Sequence, residues 1–144
     1  MRALETVHHS LRPDGFLLDV RPAPQHPWVV IHRGANHVDQ TGRIVRVGQM
    51  DDSYRMETQA VADAAVQTMI AAGRFVRERA ETFTVIYHFE SVEAWLTYMA
   101  DHWSSARISA SLIEEARAEL AREPGEVRVL RAIRAVRLRA VCDS

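Results

Sequence analysis

Five residues, Phe16-Leu17-Leu18-Asp19-Val20, stand between Pro13-Asp14-Gly15 on one side and Pro22-Ala23-Pro24 on the other. Proline keeps the residue before it out of the helical region and glycine permits a turn, so each cluster ends the element it meets. The run between them is almost continuously apolar, the pattern of a β-strand covered on both faces. Such a strand also needs its edges covered, because unpaired N–H and C=O groups on an apolar strand invite aggregation. That need constrains the rest of the chain.

Before the strand, Leu4, Val7 and Leu11 fall at helical spacing and predict a helix over 3–10. After it, Trp28 to His32 and Arg43 to Val47 are β-rich runs separated by a stretch holding Gly34 and Gly42, which predicts a hairpin with an irregular tip. Asp51, Asp52 and Ser53 then offer caps and negative charge to a helix running from Tyr54 through Val61, Ala65, Met69 and Ala72 to Gly73. Phe75 to Phe89 alternates, with Phe83, Val85, Tyr87 and Phe89 on one face and Thr82, Thr84, Ile86 and His88 on the other. Ser91 caps a further helix with Val92, Trp95, Leu96, Met99 and Trp103 on its apolar side. Ser111-Leu-Ile-Glu114 reads as a capping box opening the next, which closes at Pro124-Gly125.

The tail, Val127–Val141, admits two readings. Arginines at 128, 131, 134 and 137 recur at helical spacing, whereas Leu130, Ala132, Val136, Leu138 and Ala140 share one strand face interrupted only by Arg134. Its Val and Ile content and its place after a Pro-Gly turn favour the strand. The elements together predict an α/β (α+β) chain, residues 1–144 as a single domain, with a mixed sheet of about four to five strands flanked by three to four helices.

Composition narrows the function. With 144 residues, 47% hydrophobic and 26% charged, the chain can bury a core unaided, and its net charge of −1 makes no case for nucleic acid or an anionic membrane. All 18 basic residues are arginine, which reads as codon bias or heat-tolerant ion pairing rather than function. The single cysteine, Cys142, permits no intrachain disulfide, so a cytoplasmic location is expected. No run approaches the ~18 apolar residues of a membrane span.

Leu4 to Val20, LETVHHSLRPDGFLLDV, resembles the C-terminal half of class I S-adenosylmethionine-dependent methyltransferases. There a helix ends in a Leu-Arg-Pro-Gly-Gly-like turn that leads into the fifth strand of a Rossmann-like sheet. Leu11, Arg12, Pro13 and Gly15 match, and Asp14 replaces the first glycine. The resemblance implies that the helix at 52–72 follows the fifth strand, that Arg79 to Phe89 is the sixth and that Val127 to Val141 is the last. The hairpin at 28–49 and the helices at 91–122 would be insertions. In the full fold the fifth strand is flanked by the fourth and the last.

That family holds its cofactor with a glycine-rich loop after the first strand and an acidic residue at the end of the second. Glycines let the backbone approach the ligand, and the acid binds the ribose. Here the glycines are 15, 34, 42, 48, 73 and 125, with no G-x-G among them. The expectation is a truncated methyltransferase-like fold with no cofactor site of its own, using S-adenosylmethionine only if a partner chain supplies the missing half. The Phe16-Val20 edge would be covered by the hairpin at 28–49, by a second copy in a homodimer, or by a partner protein.

The remaining candidate sites read mostly as structure. His8 and His9 point about 100° apart on a helix and cannot chelate together. His32 and His37 flank Gly34 in a predicted loop, and no metal-ligand pattern includes them. No G-x-S-x-G elbow occurs, Cys142 has nothing near it in sequence to lower its pKa, and the pairs Asp51-Asp52 and Glu114-Glu115 fall where helix first turns favour negative charge. The arginine-rich tail reads as a solvated strand face or as ion pairing to the acidic helix at 111–123. Tyr98 and His102, at i and i+4 beside Trp95 and Trp103, read as core or interface. No catalytic residue and no metal site is expected. One ligand rim follows from fold analogy: if the strands ending at Asp19 to Arg21 and at His88 to Glu90 are parallel neighbours, Arg21, His26, Trp28, His88 and Glu90 surround a pocket beyond their carboxyl ends. The expected function is a methyltransferase-like, non-catalytic, oligomeric module. The alternatives are a small-molecule binder or enzyme with a site at a dimer interface, and the substrate-side subunit of a split methyltransferase.

Overall fold

The computed structural model describes residues 2–34 and 42–141. Four helices and five strands follow in the order α1 (Arg2–Ser10), β1 (Phe16–Pro22), β2 (Trp28–Arg33), β3 (Arg43–Gln49), α2 (Ser53–Ala71), β4 (Phe75–Phe89), α3 (Val92–His102), α4 (Ala110–Arg122) and β5 (Glu126–Ala140). The class is α+β, and every element foreseen from spacing is present. The tail is a strand: β-branched residues and pairing partners outweigh the helical spacing of its arginines. The hairpin is β2 and β3, paired antiparallel from Trp28↔Gln49 to Arg33↔Arg43, with a shift between Val29 and Val30. Its foreseen irregular tip, and His37 with it, lies outside the described residues.

Strand directions differ from the mixed sheet expected. β1 with β5, β2 with β3, and β2 with β5 are all antiparallel ladders, and the five strands form an open sheet. The hairpin's first strand joins β5 along Glu126–Leu130, so the hairpin does not cover the edge of β1. β5 takes the place beside β1, in the register Phe16↔Arg139 to Pro22↔Ile133.

The chain divides into two compact units, and β4 and β5 contribute residues to each. The first holds α1, β1, α2 from Met56, β4 to Phe83 and β5 from Ala132. Its core is Val66, Met69, Phe75, Val136, Leu138 and Ala140, with Leu4, Leu11 and Leu17 packed against them. The second holds β2, β3, α3, α4, β4 from Thr84 and β5 to Arg131. Its core is larger, built on Trp95, Val29, Ile31, Met50, Met99, Leu112, Val127 and Val129.

Local chemistry sets several boundaries. The turn between α1 and β1 is made at Asp14, with φ of 62°, the left-handed conformation a glycine adopts most cheaply. Gly73, φ 73°, ends α2 in the same way. Ser91 caps α3 by accepting from Ala94 N at 3.0 Å. The cap of α4 is Ser109, which accepts from Leu112 N, and not Ser111 as the capping-box pattern predicts. The helix begins one residue before Ser111, whose hydroxyl lies 3.1 Å from that of Ser109.

Candidate functional site at the free edge of β1

The backbone of β1 is committed on one side only. Gly15 O accepts from Ala140 N, and Ala23 N donates to Ala132 O, each at 2.9 Å. Because N–H and C=O groups alternate along a strand, residues 17, 19 and 21 also turn theirs toward β5. The N–H and C=O groups of Phe16, Leu18 and Val20 therefore face away from it, and among the described residues no strand pairs with that edge.

The side chains of the same three residues are open. Phe16, Leu18 and Val20 are 51%, 56% and 50% exposed, so the strand expected to be covered on both faces is covered on one. Directly paired residues share a face, which places Arg139, Arg137 and Ala135 beside them. The Arg137 guanidinium lies over the Phe16 ring at 4.4 Å, and Glu78 accepts from Arg137 and Arg139 at 3.0 and 2.8 Å. The result is an apolar row bordered by two arginines that share one carboxylate.

On the other face Leu17 packs into the first core, while Asp19 and Arg21 form a bidentate pair at 2.6 and 2.7 Å. Arg21 also donates to Asp63 at 2.8 Å, and Asp63 accepts from Arg134 as well. The hydrogen bond to Asp19 raises the Arg21 pKa above its ordinary value, with partial desolvation opposing it. Between this cluster and the helices runs an open groove of about 860 Å³, lined by Leu4 of α1, by Leu18 and Val20 of β1, and by Val61, Ala62 and Ala65 of α2. Its polar groups are mostly engaged with one another, so the groove offers apolar contact and a backbone edge.

The five residues of the expected rim do not assemble. β1 and β4 each pair with β5, so they are not parallel neighbours. Arg21 belongs to the first unit, and the other four to the second. There His26 Nδ1 accepts from Asp52 N at 3.1 Å, the Trp28 ring carries the Arg46 guanidinium at 4.8 Å, and His88 Nδ1 lies 3.2 Å from Glu126 Oε1. Glu90 lines a small surface pocket with Ser91, Arg117 and Leu120. His26, Trp28 and His88 are each engaged with a different neighbour.

Buried charge in the second unit also departs from the expected solvated arginine face. Arg131 Nη2 donates to Asp52 Oδ2 at 2.6 Å, and its guanidinium lies 4.3 Å from the centre of the Trp103 ring. Burial pulls the Arg131 pKa below the ordinary arginine value, and Asp52 opposes the shift. Arg128, also buried, donates to Glu126. The acidic helix α4 instead binds Arg33 of β2 through Glu119 and Glu123. Tyr98 and His102 stack at 4.2 Å, with Tyr98 packed against the aromatic core and His102 exposed rather than in the core. Among the described residues no group of three His, Cys, Asp or Glu side chains is placed to hold a metal ion, and no helix is long and apolar enough to cross a membrane.

Val61 of the groove wall and Asp63, which binds Arg21, were not foreseen as site residues. Val61 is 73% exposed although its spacing with Ala65 and Met69 reads as one apolar face, so only the structure singles it out. No family model, curated protein or solved structure matches this chain.

Proposed function

We propose that this chain is a methyltransferase-like module that carries the fifth, sixth and last strands of that fold and acts as a binding partner rather than as a self-contained enzyme. One observation carries the reading. β1, the counterpart of the fifth strand, lies beside β5, the counterpart of the last, and its other edge is free at the position the fourth strand holds in the full fold. The turn supports it too: Asp14 holds a positive φ at the position where the resembling motif has glycine.

The chain carries no G-x-G loop to approach a cofactor, so the module is non-catalytic by itself and its work is assembly through β1. A polypeptide strand is the occupant that satisfies the Phe16, Leu18 and Val20 backbone groups and buries their side chains together. With a single cysteine, the module suits a reducing cytoplasm. Titration calorimetry of the purified chain with S-adenosylmethionine tests the non-catalytic part. No saturable heat is expected, and stoichiometric binding overturns it.

A second reading rests on the groove, whose volume of about 860 Å³ falls in the range of small-molecule sites. It makes the module a carrier of an apolar ligand at an interface. Native mass spectrometry decides this reading by the presence or absence of a copurified small molecule.

A further inference from the structure

We infer that the occupant of the β1 edge is a second copy of this chain, paired antiparallel about a two-fold axis at Leu18. The inference rests on the reading of β1 as an assembly edge and names its partner and register.

The sequence of β1 singles out that register. Only Phe16, Leu18 and Val20 present both N–H and C=O to the free edge, because Pro22 has no N–H to give. A two-fold at Leu18 sets Leu18 opposite the partner's Leu18, Phe16 opposite the partner's Val20 and Val20 opposite the partner's Phe16. Each pair exchanges both backbone bonds, so the N–H and C=O groups of all three residues are used. Shifting the two-fold to Asp19 sets Pro22 against the partner's Phe16 and loses bonds there. It also sets Asp19 against the partner's Asp19, a like-charge pair that destabilises a sheet. Shifting it to Leu17 sets Val20 against the partner's Asp14, which is turned out of strand geometry by its φ of 62°.

Side chains agree with the backbone. In the Leu18 register the half-exposed face carries apolar pairs alone, Phe16 with Val20 and Leu18 with Leu18. On the helix-covered face Asp19 meets the partner's Leu17 and Arg21 meets the partner's Gly15, so the Asp19–Arg21 pair stays intact and no like charges oppose. The partner's Leu17 projects toward the apolar groove beside Val61 and Ala62. A strand whose edge is complementary to itself in one register is an isologous contact and closes at two copies.

The test is site-specific crosslinking of the full chain in a Cys142→Ser background. Across such a pair the Leu18 Cα atoms lie about 5.5 Å apart, within the ~4.4–6.8 Å span of a disulfide. The Val20 Cα atoms are offset by about 13 Å along the strand, beyond it. The expected result is a dimer in native mass spectrometry, with Leu18→Cys oxidised to a covalent dimer and Val20→Cys remaining uncrosslinked. Both positions are exposed, so neither change should prevent folding. Hydrogen exchange at the Phe16, Leu18 and Val20 amides, read on the same samples, separates the two levels of the argument. A dimer with protected edge amides but no Leu18 disulfide overturns the Leu18 register and leaves β1 as an assembly edge. A dimer with freely exchanging edge amides overturns both. A monomer overturns the second copy as occupant.

Discussion

Arg131 of β5 and Asp52, at the start of α2, form an ion pair at 2.6 Å with both side chains buried. A buried pair adds little to stability over an apolar replacement, but removing one partner strands the other charge at a cost of about 3–5 kcal/mol. Asp52→Ala is therefore expected to lower unfolding free energy by that amount in urea titration. The double variant Asp52→Leu with Arg131→Met should recover most of it. Equal losses in the single and double variants would show that the pair is not the cause.

The turn at Asp14 makes a second test. A non-glycine residue in the left-handed region carries roughly 1–2 kcal/mol of strain, less for aspartate, whose side chain bonds locally. Asp14→Gly should leave stability unchanged or raise it by up to about 1 kcal/mol, while Asp14→Val should lower it. Thermal unfolding of the two variants reads the difference, and a stabilising valine would refute the turn geometry.

Helix capping distinguishes two serines that sequence alone confused. Ser109→Ala should cost about 1 kcal/mol, because Leu112 N loses its acceptor. Ser111→Ala should cost a few tenths at most. The reverse order in chemical denaturation would restore the capping-box assignment.

Acid titration has a defined sign at Asp51. Its carboxylate accepts from the Ser53 hydroxyl first and the Ser53 N–H second, and these bonds hold its pKa below the ordinary aspartate value. A depressed carboxylate contributes stability above the unfolded pKa, ~3.9, and loses it as pH falls through the lower folded value. Asp51→Asn should flatten the stability curve in that acid range and leave its shape near neutrality unchanged. An unchanged acid limb would remove Asp51 from the account.

Leu18→Lys tests the β1 edge by charge. A lysine on an open edge opposes strand addition, and at an exposed site it should change unfolding free energy by no more than about 0.5 kcal/mol. Self-association measured by sedimentation should fall, while the unfolding midpoint holds at dilutions where the unsubstituted chain is monomeric. A variant that unfolds would place Leu18 in a core instead.

Elements were legible in the sequence because periodicity and turn chemistry are local. Leu4, Val7 and Leu11 marked α1, alternation marked β4, and Pro-Gly followed by β-branched residues marked β5. The missing G-x-G is likewise a property of the string alone. What lies beside what was not legible. The run Phe16 to Val20 reads as buried on both faces because its residues are apolar, yet apolarity states a demand for cover and not whether the chain meets it. The arginines of β5 read as solvated or as paired to the acidic helix at 111–123, since only the fold brings Asp52, Asp63 and Glu78 to them. The rim of Arg21, His26, Trp28, His88 and Glu90 required two strands to be parallel neighbours, and strand pairing depends on residues more than a hundred positions apart. Sequence determined the elements, the apolar strand Phe16 to Val20 among them. Tertiary structure decided that this strand keeps one bare face and one free edge, because long-range pairing with β5 satisfies its backbone on one side only.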